Sequence, residues 1–233
     1  DEKGNEIRHY SKDLMTLKAI TEKGFNNGLN KFVWDMRINR VTSVPKRPAT
    51  AISPIVPPGN YTAKLTVDGV SETQDFKIFM NPKENYTQEQ AEAKFAFWMQ
   101  LYHSSEEWTQ SVIKALAIKE EISKKMETYK ASGASDSKIK KAEKQAAIVT
   151  GIIDDYEGSF VSTGRTLAEV INLPATILFK MSFISGILDH SEGPAAKSME
   201  AVYKEVVKDA DAVNGNYHKT IGPAIEKLEK LMN

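Results

Sequence analysis

The chain has 233 residues, of which 41% are hydrophobic and 27% charged, as expected for a globular protein with one large or two small domains. Lys and Arg total 31, and so do Asp and Glu. Nucleic-acid-binding proteins normally carry a basic excess, so this balance argues against that class. The absence of cysteine excludes disulfides and thiolate metal sites. The least polar stretch, residues 173–188, is short for a membrane span and predicts a buried helix instead.

The first 81 residues predict a small antiparallel β domain of about four to six strands. Residues 1–8 have the pattern of a turn that leads into a strand at Ile7, and Leu17 with Ile20 predicts another short strand. A chain rarely begins inside a hairpin turn. The pattern therefore also predicts that residue 1 is a cut point and that the β domain is truncated at its N-terminus.

Residues 28–37 form the most regular stretch of this region. This stretch begins at Gly28, and its side chains then alternate between two faces with a period of two residues, as in a half-buried strand. One face carries Phe32, Trp34 and Met36. The five prolines of residues 38–58 then exclude a helix or a central strand.

A hairpin is predicted after this proline-rich segment. Residues 61–67 alternate in the same way and end at Asp68-Gly69, which is a strong hairpin signal because both turn positions tolerate positive φ. The return strand, residues 70–80, places Phe76, Ile78 and Met80 on one face.

From Thr87 onwards the hydrophobic period changes to that of helices. Thr87 and Gln90 form a capping box, and no Gly or Pro follows until after Ala131, which predicts a helix of about 44 residues. Three further helical stretches follow, over residues 135–156, over residues 166–189 with a break at Pro174, and from Gly193-Pro194 to the C-terminus. Short loops between long helices predict an antiparallel bundle of about four helices over residues 82–233.

The histidines offer no metal site in the sequence, and no cofactor is predicted. They lie in four different predicted elements, and none has a second ligand at helical spacing. These residues are His9, His103, His190 and His218.

Acidic residues offer the one candidate for catalysis. Asp154 and Asp155, followed by Glu157, form a carboxylate group of the kind that hydrolases use for acid–base chemistry. No nucleophile motif or Gly-rich loop accompanies them, so a polar helix face is the preferred interpretation and no catalytic residue is assigned. A glycoside hydrolase, or another hydrolase that uses these residues, remains an alternative.

A second apolar stripe on the long helix is a candidate interaction surface. It consists of Phe97, Leu101 and Trp108, displaced by roughly 100° from the main stripe that contains Phe95 and Trp98. The stripe either packs on the β domain, which would hold the two domains rigidly together and is the preferred prediction, or binds a protein partner. In the second case the chain would be an assembly or secretion adaptor.

Several motifs of the β region resemble the C-terminal region of bacterial exported sortilin-like proteins with BNR/Asp-box β-propellers, which are often labelled glycosyl hydrolases. Residues 28–37 resemble the family's G-x-N-x-F-x-W-D-x-R strand, and residues 58–69 resemble its P-G-x-Y strand and the following Asp-Gly turn. The matching positions are Gly28, Phe32, Trp34, Pro58, Gly59, Tyr61, Asp68 and Gly69.

The resemblance implies an immunoglobulin-like β-sandwich over residues 1–81, followed by the helical bundle, in an α+β two-domain chain. It implies that Trp34 is buried between two sheets, and that its replacement by Ala costs about 3–5 kcal/mol. It also implies a non-catalytic accessory or interaction module of a larger exported protein, whose upstream β-propeller would be a partner in the same polypeptide. No nucleic-acid partner and no membrane span are expected.

Overall fold

A computed structural model of the chain describes residues 1–10, 28–29, 31–83, 85–162, 175–191 and 193–232. The predicted strand at Leu17 and Ile20 and the first part of the predicted third helix lie outside these ranges. The secondary-structure elements in chain order are β1 (Gly59–Val67), β2 (Val70–Ile78), α1 (Gln88–Ala131), α2 (Asp136–Phe160), α3 (Ile177–His190) and α4 (Lys197–Met232).

The predicted Asp-Gly hairpin is confirmed. β1 and β2 pair antiparallel from Gly59 opposite Ile78 to Val67 opposite Val70. The two turn residues, Asp68 and Gly69, have φ angles of 49° and 83°. A turn with positive φ at both positions matches the right-handed twist of the two strands, which is why this dipeptide closes the hairpin.

The predicted immunoglobulin-like β-sandwich is wrong, whereas the four helices are confirmed. Within the described ranges, β1 and β2 are the only strands, and they form one two-stranded sheet. Residues 31–36 are not a strand, and Met36 has a φ of 58°, which extended backbone does not adopt. Arg37 makes a single β-bridge, to Ile55. The alternating side chains of this segment predict one apolar face, but a strand also needs a neighbouring strand. The described ranges contain no strand that pairs with residues 31–36.

Trp34 is half-buried on one face of the hairpin rather than enclosed between two sheets. Its ring packs edge-on against Tyr61 and Phe76, with centroid distances of 6.0 and 6.3 Å. Its indole Nε1 donates a 2.9 Å hydrogen bond to the carbonyl of Arg37. Residues 31–37 therefore cover the base of the hairpin as an irregular segment.

The other motif positions have local roles. Phe32 is 42% exposed and packs edge-on against Tyr10. Gly28 has a φ of 104°, Gly59 begins β1, and the Pro58 carbonyl accepts a 2.8 Å hydrogen bond from the side chain at the start of α1.

The proline-rich segment folds back on itself and packs against the helices. We call residues 36–56 the strap. Backbone hydrogen bonds of 3.0 Å join Ile38 to Pro54 and Val41 to Ile52 across it. Its side chains Val41, Val44 and Ile52 are buried in the main core together with residues of the helices. The core thus continues across the domain boundary predicted at residue 81.

The helices form the bundle, with α1 and α4 as its longest members. α1 has the predicted 44 residues, and both hydrogen bonds of the capping box at Thr87 are present. α4 runs without interruption for 36 residues, although Gly215 and Pro223 lie inside it. α2 packs against both α1 and α4, and α3 contacts these same two helices and α2. None of the helices in the described ranges combines the length and the apolar content needed to cross a bilayer.

α1 contributes to two separate hydrophobic clusters. Phe97 and Leu101 belong to the main core of the bundle. Phe95, Met99 and Tyr102 lie on the neighbouring side of the helix and pack against a small cluster at the base of the hairpin, formed by Ile38, Val56 and Tyr61. The hairpin is therefore attached to the bundle through Phe95 and Tyr102 of the main stripe, whereas Phe97 and Leu101 of the second stripe lie in the core of the bundle.

Candidate functional site

The carboxylates proposed for catalysis differ in their burial and in their partners. Asp154 and Asp155 are exposed, and Asp154 forms an ion pair with Lys119 of α1. Glu157 lies one turn further along the helix, where its side chain is 3% exposed and accepts a 2.6 Å hydrogen bond from Arg47 Nε. Asp154 and Glu157 are thus each held by a different basic residue, and nothing in their arrangement marks them as a catalytic carboxylate pair.

The Arg47–Glu157 pair instead attaches the strap to α2. The hydrogen bond with the Glu157 carboxylate raises the pKa of Arg47, more than its partial burial lowers it. A second ion pair, 2.7 Å between Arg37 and Asp189, attaches the beginning of the strap to the end of α3. These charges therefore hold the strap in place.

Glu106 attaches the strap to α1. Its carboxylate accepts hydrogen bonds of 2.7 Å from both the backbone N–H and the hydroxyl of Thr42. Partial burial acts to raise the pKa of Glu106, but the hydrogen bonds from Thr42 and Gln110 outweigh burial and hold it below its usual value. Each of α1, α2 and α3 thus holds the strap through one carboxylate.

The histidines and the remaining acidic residues are dispersed as well. Across the described parts of the chain, no three side chains of the metal-binding types come together at one point. All four histidines are exposed. Asp209 of α4 forms a 3.0 Å ion pair with Lys180 of α3.

An open groove of about 550 Å³ lies between α1 and α2. Its floor is apolar, with Ile122 and Met126 among its residues. One pair of charged residues at its rim, Lys130 and Glu143, forms a 2.7 Å ion pair across the groove. This geometry is that of a helix–helix packing groove.

The candidate interaction surface is buried within the chain. Phe97, Leu101 and Trp108 are 6%, 0% and 5% exposed. Phe97 packs edge-on against Tyr203 of α4, and Trp108 packs against Phe160 of α2. In this conformation the stripe is a bundle contact and is not available to another protein.

A polar cluster in the bundle was not predicted from the sequence. Tyr156 of α2 and Tyr217 of α4 stack with a centroid distance of 4.0 Å. The Tyr156 hydroxyl lies 2.8 Å from that of Ser111 and donates a 2.7 Å hydrogen bond to Asn214. Burial raises the pKa of both tyrosines. The cluster joins α1, α2 and α4 around two buried tyrosines, so it contributes to holding these three helices in register.

An exposed apolar surface was also missed, on the outer side of α3. The inward residues of this helix are buried as predicted. On the other side Phe179, Phe183 and Ile187 are 51%, 64% and 39% exposed. We call these three residues the α3 stripe. Their spacing of four residues was the available signal, but a helix that is apolar on all sides was interpreted as fully buried.

The comparisons with known proteins add no neighbour to this description. No family model matches the chain, and no curated protein or solved structure does so either. Any functional conclusion therefore depends on the residues described above.

Proposed function

We propose that this chain is a non-catalytic interaction module of a larger exported protein. The observation that carries the proposal is the α3 stripe, a row of three large apolar side chains on a helix whose opposite face is buried in the bundle. Within the described ranges, these side chains are not part of either hydrophobic cluster. An exposed row of this kind on an amphipathic surface is typical of protein-binding sites.

The charges beside the stripe favour an apolar partner over a charged ligand. Lys180, in the first turn of α3, is paired with Asp209, and Asp189, in the last turn, is paired with Arg37. Both ion pairs are formed between side chains of this chain. The natural partner is therefore an apolar surface of another domain, and the same polypeptide is the simplest source of one.

The setting in a larger exported protein is supported by the motif resemblance of residues 28–37 and 58–69 to sortilin-like proteins. In that family the matching region follows a β-propeller, so the propeller is the domain that we expect to contact the α3 stripe. An assembly or secretion adaptor would use the same surface for a separate protein.

The test is direct binding between this chain and the upstream part of its parent polypeptide, produced separately and measured by calorimetry. Phe183→Ser should weaken binding at least about tenfold, because hot-spot aromatic residues contribute more than about 1.4 kcal/mol to an interface. Ile148→Ser is the matched control, since Ile148 is 47% exposed on α2, away from the stripe. Equal effects of the two substitutions would contradict the proposed surface.

The non-catalytic part of the proposal has its own test. Glycan and peptide substrates should not be hydrolysed by the wild-type chain above the background rate. Hydrolysis that is lost in the double variant Asp154→Asn, Asp155→Asn would show that the chain is an enzyme, and would replace this proposal.

A further inference from the structure

β2 has an open edge in the part of the chain that the structure describes. All of its residues from 70 to 77 are exposed, and β1 is the only helix or strand of the described ranges that packs against it. The N-terminal turn lies beside the other strand, where Asn60 of β1 donates a hydrogen bond to Glu2. An exposed edge presents unpaired N–H and C=O groups to any further strand, and an isolated two-stranded hairpin is only marginally stable.

The turn determines which backbone groups of β2 point to this edge. In a hairpin with a two-residue turn, the flanking residues Val67 and Val70 exchange both hydrogen bonds, and such pairs recur at every second position. The even-numbered residues of β2 therefore bond to β1. The odd-numbered residues from 71 to 77 direct their N–H and C=O groups outward.

The charges of β2 select one register for pairing with a second β2 strand. Residues directly opposite each other must lie on the same face, and like charges in opposite positions are destabilising. Centred on Phe76, antiparallel pairing about a two-fold axis places each Lys77 opposite Asp75 of the other copy. Centring on Asp75 or on Lys77 would instead place two like charges opposite each other.

The aromatic side chains favour the same centre. Phe76 would lie opposite Phe76 of the other copy, in a position where side chains come closest. Phe79, which follows β2, is 75% exposed and would lie opposite Thr73 of the other copy. The edge of β1 offers no comparable match, because Lys64 is its only charged residue.

From this geometry we propose that the β2 edge binds a second copy of the chain. The two hairpins form a four-stranded antiparallel sheet across a two-fold axis at Phe76. The binding surface is distinct from the α3 stripe, and the inference does not depend on the proposed function.

Charge reversal with rescue tests the register. Sedimentation equilibrium of the whole chain should give a dimer, and Asp75→Lys or Lys77→Asp alone should raise its dissociation constant at least about tenfold, because each places two like-charged pairs in the ladder. The double variant should return to nearly the wild-type constant. Lys64→Asp, on the open side of β1, is the control and should leave the constant unchanged.

Disulfide formation tests the axis itself. The wild-type chain has no cysteine, so a Phe76→Cys variant carries a single thiol that would lie opposite its own copy. Under oxidising conditions it should cross-link into a dimer much faster than a Lys64→Cys variant. Because loss of Phe76 also weakens the packing of Trp34, hydrogen exchange should confirm that the hairpin remains formed.

Three outcomes would overturn the proposal. The first is a chain that stays monomeric throughout the micromolar range. The second is a dimer that is insensitive to both charge reversals, or that Lys64→Asp disrupts. The third is a monomer in which the outward amides of β2 are protected from hydrogen exchange, which would mean that another segment of the same chain occupies the edge.

Discussion

Arg47 and Glu157 form a charge pair whose carboxylate is almost completely enclosed, at 3% exposure, while the arginine is 30% exposed. Arg47→Ala would leave the Glu157 carboxylate buried without its hydrogen-bond donor. We expect the free energy of unfolding to fall by about 2–3 kcal/mol, as measured by urea denaturation.

Lys119→Ala is the matched control for this substitution. It also removes the partner of a carboxylate on α2, but Lys119 and Asp154 are 38% and 51% exposed. Water can replace the missing partner there, so the loss should stay below about 1 kcal/mol. Similar losses for the two variants would show that the burial of Glu157 has no energetic consequence.

The sequence did not distinguish the carboxylates of α2 from one another. In the sequence, nothing separates Glu157 from Asp154 and Asp155 within this acidic group. Its partner, Arg47, lies 110 positions away along the chain. Burial of one side chain depends on how the strap packs against the helix. Helical spacing places residues 154 and 157 near the same face of α2, but it does not indicate which one is covered.

Among the elements, the strap should depend on pH through Glu106. The pKa of this carboxyl is lower in the folded protein than its usual value of 4.5. A lowered pKa means that the contribution of the charged form to stability is complete above pH 4.5 and is lost as the pH falls through the folded-state pKa.

This dependence can be measured with Glu106→Gln. The difference in unfolding free energy between wild type and variant should be constant near neutral pH and should shrink as the pH falls below about 4.5. Glu107→Gln, at the exposed neighbouring position, should show no such change. A difference that grows in acid would contradict the sign derived from the hydrogen bonds of Thr42.

The hairpin should respond separately from the bundle. Trp34→Ala removes a half-buried ring that contacts Tyr61 and Phe76. Because the side chain is not enclosed between two sheets, we expect a cost of about 1–2 kcal/mol in place of the 3–5 kcal/mol expected from the sequence.

Hydrogen exchange can show which part of the protein loses stability in the Trp34→Ala variant. Amides of β1 and β2 should lose protection in Trp34→Ala, while those of α2 and α4 should keep it. Equal loss of protection throughout the chain would mean that the hairpin and the bundle unfold as one cooperative unit.

The elements that were predicted correctly have complete local signals. The capping box at Thr87 begins α1, and the Asp68-Gly69 turn closes the hairpin, both without help from distant residues. Residues 28–37 have the alternation of a strand but no neighbouring strand in the described chain, and Met36 takes a backbone conformation that interrupts one. Pairing is a property of two segments, so one alternating segment does not establish it.

For the whole molecule, the important feature is a core that includes the strap. Val41, Val44 and Ile52 are 2%, 2% and 0% exposed, and each contributes about 1.5–3 kcal/mol on burial. Their sum is comparable to the total stability of a typical domain, about 5–15 kcal/mol. Residues 82–233 expressed alone should therefore unfold at a much lower temperature than residues 31–233.

Thermal unfolding followed by circular dichroism at 222 nm, a wavelength specific for helix, would test this expectation. A synthetic peptide of residues 36–58 should restore part of the lost stability to the shorter chain. Equal midpoints for the two chains would mean that the bundle is an independent domain. Such docking of an irregular segment depends on surface shape, which the sequence pattern does not encode.

The three tryptophans are distributed so that each part of the molecule carries its own optical reporter. Trp98 is 3% exposed in the bundle and donates a 2.6 Å hydrogen bond to Ser185, whereas Trp34 is half-buried at the hairpin. Fluorescence from Trp98 and Trp108 should be emitted at shorter wavelength and resist quenching by iodide. The emission of Trp34 should be red-shifted and accessible to the quencher, so a single emission spectrum can follow the two regions at once.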